Sequence, residues 1–383
     1  MVDAVRSGAS QRSVARRSGV ALATLQLWLA RAADLPLDAV DWSDRPSIAR
    51  RVHRTPEAIE NLILDVRRFL HDESPLNEFG PAAIRRELEA RQLGPVPSTR
   101  TIARVLERRG ALDARRRIRR PSPPAGWHLP EVADRAAELD SFDVIEGLRF
   151  LGGGTLDILT ALSLHGSWPG AWVAMPGVRA TSAVEAMEGH WRAGGLPAYA
   201  QFDNDTRFLG SPAHPNAIGR VVRFCLALGV VPVFTPPREM GFQAGIEAFN
   251  GRWQRAIWNR TWALGPTELQ AHSDRFTAAW RARHVLRIES APTRRPYPTD
   301  LAIDLRRPPS GRLVFLRRTN DAGTVQILQV RYQVSRLWPY RLVRAELDLD
   351  ARRLQLFGLR RREPTAQPLL GETEFAPPRR WYR

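Results

Sequence analysis

The sequence predicts a multidomain α/β protein, in which a mixed-sheet core is flanked by N-terminal helical modules and a C-terminal small β-barrel. The chain has 383 residues, which exceeds the usual size of one domain. Helical periodicity dominates the first 111 residues, strand-like and helical segments mix from about residue 135, and short strands follow Pro309. These shifts in pattern predict at least three structural regions.

Composition indicates a polyanionic partner. All 57 basic residues are arginine, the formal net charge is +17 and the isoelectric point is about 11.3. Nucleic acid is the commonest polyanion that suits such an excess. The single cysteine, Cys225, lies in an apolar run, which predicts a buried thiol and excludes disulfides and cysteine-based zinc sites. We expect a cytoplasmic protein without a membrane-spanning or secretory segment.

Residues 1–35 have the pattern of a helix-turn-helix. Ser10–Arg17 has helical character, Ser18–Val20 supplies a turn, and Leu22, Leu25 and Leu29 recur at helical spacing. The second helix would then contact DNA bases. A generic helical hairpin is the alternative interpretation.

Residues 52–111 predict a second, winged-helix-like helix-turn-helix. A first helix begins near Thr55, and two more are predicted at about 81–91 and 98–109. The last of these carries Arg100 and Arg104 between apolar positions, which would suit the major groove and its phosphates. An arginine-rich helix face is also typical of a merely solvated helix.

A basic, proline-rich linker is predicted over residues 112–130. Its core has too few apolar residues to fold by itself, and we expect it to lie along the DNA backbone. The candidate phosphate-binding residues of the linker are Arg115, Arg116, Arg117, Arg119 and Arg120.

The core is predicted over residues 131–265. Strands are expected at 138–151, 155–164, 171–175, 198–203 and 230–235, with helices at about 181–194, 216–228 and 243–262. Short Gly-rich turns between the first three strands favour an antiparallel meander, whereas helices between the later strands favour parallel pairing.

Beyond the core, we expect a helix and an extended connector over residues 266–308. Four short strands between 309 and 360 are then predicted to close the small β-barrel. Residues 361–383 are rich in arginine and proline, and we expect a basic, poorly ordered tail.

Carboxylates at strand ends and on a nearby helix suggest a metal site. Asp203 ends a predicted strand, and Glu247 shares a helix face with Asn250. The first strand offers Asp140 and Asp143, which point to opposite faces, so only one of them can join the site. Carboxylates of this kind suit Mg²⁺ or Mn²⁺, and two such ions would clamp an in-line phosphoryl transfer.

At these positions the chain resembles insertion-sequence transposases and retroviral-type integrases of the DDE class, which have an RNase H-like core. The matching residues are Leu139–Phe142, the Asp-Asn-Asp run at 203–205 and Gly245–Asn250. The resemblance extends to the flanking modules. Two departures are Asp205, where the family commonly has glycine, and Pro236–Gln243, which differs from the usual loop before the glutamate.

The resemblance implies that Asp140, Asp203 and Glu247 bind two divalent metal ions, with Asp143 as the alternative to Asp140. It implies supporting roles for Asn204 and Asn250. It also implies cleavage at transposon ends, strand transfer into target double-stranded DNA, at least a homodimer, and a nucleoid-associated location in a prokaryotic cell.

Two other functions fit the same pattern. The first is a catalytically inactive, transposase-derived regulator that binds DNA, although the predicted acids are all present. The second is an RNase H-type nuclease, which would not need the flanking DNA-binding modules. The enzyme is favoured by the combination of intact acids and basic flanking regions.

Overall fold

The computed structural model describes residues 1–43, 55–93, 95–111, 125–151, 153–213, 215–239, 241–261, 265–300, 303–305 and 307–378. The chain divides into two compact units, Met1–Pro56 and Glu57–Arg383. None of the helices within these ranges is long and apolar enough to cross a membrane.

The first unit is a small helical cluster. Its helices are α1 Val2–Arg6, α2 Gln11–Arg17 and α3 Leu22–Ala32. Val14 and Leu25 are buried where α2 meets α3. The helices lie where the sequence predicts them, and their role in reading DNA stays a prediction.

The second unit begins with three helices that share one apolar core. They are α4 Glu57–Glu73, α5 Pro81–Ala90 and α6 Thr99–Arg108. Ile63, Ile84 and Ile102 are fully buried at their centre. The side chain of Ser98 accepts a hydrogen bond from the backbone N–H of Thr101, which caps α6.

A mixed nine-stranded sheet forms the centre of the second unit, in the order β11-β10-β9-β6-β5-β4-β1-β2-β3. Its first five strands are β1 Leu139–Arg149, β2 Thr155–Ser163, β3 Pro169–Ala174, β4 Tyr199–Phe202 and β5 Val231–Phe234. The first three form the predicted antiparallel meander, and β1, β4 and β5 pair in parallel as predicted.

Helices connect and cover these strands. In chain order they are α7 Pro130–Ala133, α8 Ala180–Gly194, α9 Thr206–Leu209, α10 Arg220–Ala227 and α11 Ala244–Trp253, followed by a π-helical turn Gln254–Trp258, α12 Asn259–Thr261, α13 Pro266–Arg283 and α14 Val285–Glu289. Trp191 on α8 and Trp253 on α11 are fully buried. They belong to two different apolar clusters, so the sheet is packed against helices on more than one side.

The prediction of a separate C-terminal barrel is wrong. The remaining strands are β6 Arg312–Arg318, β7 Thr324–Ile327, β8 Val330–Gln333, β9 Leu342–Asp348, β10 Arg353–Leu359 and β11 Leu369–Glu374. Strand β6 pairs in parallel with β5, so four of these strands extend the core sheet, while β7 and β8 form a hairpin of their own. Five successive β6 residues are buried because both faces of the strand are covered.

The predicted poorly ordered tail is also partly structured. Strand β11 pairs antiparallel with β10, which satisfies the backbone groups of that edge. Phe375, directly after β11, is 1% exposed and belongs to the largest apolar cluster. A buried aromatic residue therefore anchors this segment.

Candidate active site

Two neighbouring strands bring Asp143 and Asp203 to the same level of the sheet. Strands β1 and β4 pair in parallel with Ser141 opposite Gln201. The next residue of each strand is a phenylalanine, and the two rings stack with centroids 5.5 Å apart. Because side chains alternate between faces, Asp143 and Asp203 lie one step further on, both on the face opposite the stacked rings.

Helix α11 covers this region of β1 and β2. Its buried stripe is Ile246, Phe249 and Trp253. Asn250 donates a hydrogen bond from Nδ2 to Oδ2 of Asp143, at 2.7 Å. Glu247 precedes Asn250 by three residues on the same helix face and is exposed. Helix α11 thus places the amide of Asn250 against Asp143 and the carboxylate of Glu247 on the same helix face as Asn250.

The electrostatics of Asp143 show that these acids are close to one another. Burial, together with the carboxylates of Asp203, Glu247 and Glu146, raises the pKa of Asp143 to about 6, although the hydrogen bond from the N–H of Val144 opposes this rise. The pKa of Asp203 is also raised, chiefly by burial. Carboxylates that repel one another in a partly buried site are costly to ionise, unless a cation lies among them.

The three candidate carboxylates differ from their acidic neighbours in their partners. Across the described residues, no ion pair involves Asp143, Asp203 or Glu247. By contrast, Arg207 pairs with three neighbouring acids: Asp205, Glu146 on β1 and Asp157 on β2. Arg207 therefore neutralises acids that surround the candidate site, whereas the three candidate carboxylates have no ion-pair partner among the described residues.

Asp140 lies in a different environment, on the other face of β1. It is 0% exposed, and Arg294 donates to both carboxylate oxygens, at 2.9 Å from Nη1 and 2.6 Å from Nη2. The hydroxyl of Ser163 and the indole N–H of Trp191 also donate to it, at 2.7 and 3.0 Å. Burial alone would raise the pKa of Asp140, but Arg294 and the neighbouring His190 hold it well below its usual range.

The hydrogen bonds of Asp140 join distant parts of the chain. They connect β1 with the end of β2, with α8 and with the segment that contains Arg294. Arg294 also donates to the carbonyl oxygen of Gly195. With both oxygens engaged, Asp140 serves as a buried structural anchor, and the structure brings Asp143, not Asp140, towards Asp203 and Glu247.

Asn204 stabilises the strand ends and does not face the carboxylates. Its Nδ2 donates to the carbonyl oxygen of Thr235 at 2.6 Å, and its Oδ1 accepts from Nη2 of Arg317 at 2.7 Å. Burial lowers the pKa of Arg317 to about 10. Asn204 therefore fixes the ends of β4 and β5 relative to β6, which holds Asp203 at the start of its loop.

The departure at Asp205 has a local structural reason. Asp205 caps the short helix α9 by accepting a hydrogen bond from the N–H of Arg207 at 2.7 Å. Its own N–H donates to Oδ1 of Asp203 at 3.1 Å. The side chain of Asp205 thus caps α9, and its backbone N–H orients the neighbouring carboxylate.

The predicted DNA-binding residues fall into two groups. Arg100 and Arg104 are exposed on α6, as a contact with DNA would require. Arg115, Arg116, Arg117, Arg119 and Arg120 lie outside the described residues. Two arginines that organise the region, Arg294 and Arg317, carried no sequence signal, since each acts through a partner far away in the chain.

As the side chains stand, no group of three or more His, Cys, Asp or Glu residues in the described part of the chain is close enough to hold a metal ion. The carboxylates are near enough to change one another's pKa but do not form a closed ligand set. Within the described ranges, no arginine forms an ion pair with Asp143, Asp203 or Glu247.

Comparisons with known proteins do not assign the chain to a family. No protein-family model matches the chain, and no curated protein matches it. A chain in a cryo-EM structure of the simian T-cell lymphotropic virus intasome in complex with PP2A regulatory subunit B56 gamma is similar to it, with a TM-score of 0.32 and 14% identity. The similarity covers 70% of this chain and 84% of that chain. The proposals below therefore rest on the residues of this chain.

Proposed function

We propose that the chain is a DNA transposase or integrase that cleaves phosphodiester bonds at the ends of a mobile element and joins them to target DNA. The observation that carries the proposal is that Asp143 interacts electrostatically with Asp203 and Glu247, while no arginine in the described part of the chain forms an ion pair with any of the three. In a chain with 57 basic residues, unpaired acids on adjacent elements are expected where a cation or a reacting group must bind.

The donor set fits divalent magnesium or manganese. Asp143, Asp203 and Glu247 offer only oxygen ligands, and burial with neighbouring carboxylates raises the pKa of both aspartates, so a bound cation would offset the cost of ionising them. We propose these three residues as the metal ligands, so that Asp143 takes the place first expected for Asp140. When bound, two such ions would supply Lewis acidity and an activated water for in-line attack on phosphorus.

The protein's own residues would position this chemistry. Asn250 orients one oxygen of Asp143, and the N–H of Asp205 orients one oxygen of Asp203. Asn204 and Arg317 hold the loop that bears Asp203. Glu247 is exposed on α11 and is free to approach the aspartates when a cation draws the three carboxylates together.

The flanking regions would provide the DNA. We propose that the helices of the first 111 residues bind the element's ends, with Arg100 and Arg104 on phosphates or base edges. Joining two ends requires at least two copies of the chain, so a homodimer or larger assembly on double-stranded DNA is part of the proposal.

The experiment is a cleavage and strand-transfer assay with Mg²⁺ or Mn²⁺. The oligonucleotides carry the inverted repeats that flank the gene. Wild-type protein should nick and join them, whereas Asp203→Asn and Glu247→Gln should abolish both steps and leave DNA binding nearly unchanged. Full activity in either variant would refute the proposed metal ligands. Tight binding without cleavage by the wild type would instead favour the DNA-binding regulator.

A further inference from the structure

A strongly basic groove of about 460 Å³ lies between α4, α5 and the loop that joins them on one side and α11, the π-helical turn and α13 on the other. It is lined by five arginines and one acid: Arg67, Arg86, Arg252, Arg255, Arg283 and Glu78. Five positive charges against one negative charge leave the lining with a net charge of +4. A concave surface of one sign concentrates ions of the opposite sign.

Glu78 is the centre of this group. Its carboxylate accepts from Arg86 and Arg252, each at 2.5 Å, and from Arg283 at 3.4 Å. These contacts lower the pKa of Glu78, although burial opposes them. One carboxylate therefore gathers guanidinium groups from three helices, α5, α11 and α13.

A single carboxylate does not satisfy this much positive charge. Burial lowers the pKa of Arg86, and repulsion from Arg283 and Arg252 lowers it further, against the pull of Glu78. Arg67 donates to the carbonyl oxygen of Phe79 and has no acidic partner in the described part of the chain. Arg255 is exposed, and no described acid pairs with it either. The groove thus has room and charge for a further anion.

Helix α11 connects the groove with the candidate site. Arg252 follows Glu247 by five residues on α11, which places it about 8 Å further along the helix axis. The groove is therefore lined in part by the same helix that carries Glu247.

We propose that this groove binds backbone phosphates of the duplex DNA next to the bond that is cleaved, and that Glu78 sets its affinity by competing for the same guanidinium groups. The inference rests on the proposed function for the identity of the ligand. The recognition is independent of base sequence, since the groove offers charge and arginine hydrogen bonds to phosphate oxygens.

The first test measures binding to a 30-base-pair duplex of arbitrary sequence by fluorescence anisotropy, in EDTA, over a range of salt concentrations. The double variant Arg255→Ala/Arg283→Ala should bind about 30-fold more weakly at 0.15 M salt, and the slope of log affinity against log salt should fall by about 1.8 for two lost phosphate contacts. The matched control is Arg192→Ala/Arg353→Ala, which removes two exposed arginines that each pair with a glutamate elsewhere. Equal losses in the two double variants would overturn the proposal.

The second test addresses Glu78. Glu78→Gln should tighten binding to the same duplex by more than Glu188→Gln, which removes an arginine-paired glutamate outside the groove. If the two variants bind alike, Glu78 does not compete with phosphate and that part of the proposal fails. Thermal melting of Glu78→Gln shows whether the folded protein is being measured.

A cross-linking test reports direct contact and does not depend on stability. Cys225 is buried, so a cysteine introduced at an exposed position can be labelled selectively with a photoreactive group. Labelled Arg255→Cys should cross-link to the duplex far more efficiently than labelled Arg192→Cys. Equal yields would refute the groove as a DNA site.

These measurements separate the groove from the proposed chemistry, because none of them requires a metal ion or a cut. Groove variants that lose binding would support the inference even if the wild type never cleaved DNA. Groove variants that keep full binding while the wild type cleaves would refute the inference alone.

Discussion

Replacing Asp143 with asparagine should stabilise the metal-free protein at alkaline pH. Burial and neighbouring carboxylates raise the pKa of Asp143 from 3.8 to about 6, so ionising it in the folded state has a free-energy cost. A difference of roughly two pKa units corresponds to about 3 kcal/mol, and partial exposure to solvent reduces our expectation to about 2 kcal/mol. Asparagine carries no charge and can still accept the hydrogen bond from Asn250.

The sign of the pH dependence follows from the raised pKa. A group whose pKa is higher in the folded state favours folding at low pH and loses this contribution as pH rises through the folded pKa. The advantage of Asp143→Asn should therefore be complete at pH 8, shrink between pH 6 and pH 4, and vanish below pH 4. Metal binding at the site should also weaken below pH 6, because protons compete for the same oxygens.

The assay is thermal unfolding in EDTA at a series of pH values. For a unit of this size, 2 kcal/mol corresponds to a rise of roughly 3 °C in Tm at pH 8. With saturating Mg²⁺ the difference should narrow or reverse, since only the wild type gains the full stabilisation from binding. A destabilised variant at pH 8 in EDTA would refute the electrostatic account of the site.

Three further predictions concern the surroundings of the site. Asp140→Asn should destabilise the protein at pH 8 by about 3 to 5 kcal/mol, because it leaves Arg294, whose side chain is only 14% exposed, without its counter-charge; a Tm equal to that of the wild type would contradict the anchoring role. Asn250→Ala should weaken Mn²⁺ binding about tenfold in a titration followed by electron paramagnetic resonance, and unchanged affinity would mean that the bond to Asp143 has no orienting effect. Phe375→Ala should cost about 3 to 5 kcal/mol in urea unfolding, whereas the exposed Leu369→Ala should cost little; similar losses would argue against the buried anchor.

Much of the core could be predicted because its signals are local. Runs of apolar residues bounded by glycine and proline marked β1 to β5, and helical spacing marked α8, α10 and α11 to within a few residues. The order of strands and helices was enough to predict an antiparallel meander followed by parallel pairing. These features depend on residues that are close to one another in the chain, so a single sequence contains the information that predicts them.

The choice between Asp140 and Asp143 could not be made in the same way. The pattern Leu139–Phe142 favoured Asp140, and alternation of side chains showed only that the two acids face opposite ways. The partner that occupies Asp140 is Arg294, 154 residues later in the chain. No local pattern distinguishes an acid that meets an arginine through the fold from one that meets other acids.

The C-terminal region shows the same limit. Short strands with turns between them are compatible with a barrel or with an extension of an existing sheet. What decides is the pairing of Val314 and Phe315 on β6 with Val233 and Phe234 on β5, a contact between residues about 80 positions apart. The tail was likewise assigned from its charge and proline content, which conceal the buried Phe375.

The most direct test of the central claim is a crystal structure of the protein with Mn²⁺, in which anomalous scattering locates the ion. We predict anomalous peaks bounded by the carboxylates of Asp143, Asp203 and Glu247, with Asp140 still paired with Arg294. Peaks at Asp140, or none near Asp203 under saturating Mn²⁺, would contradict the account.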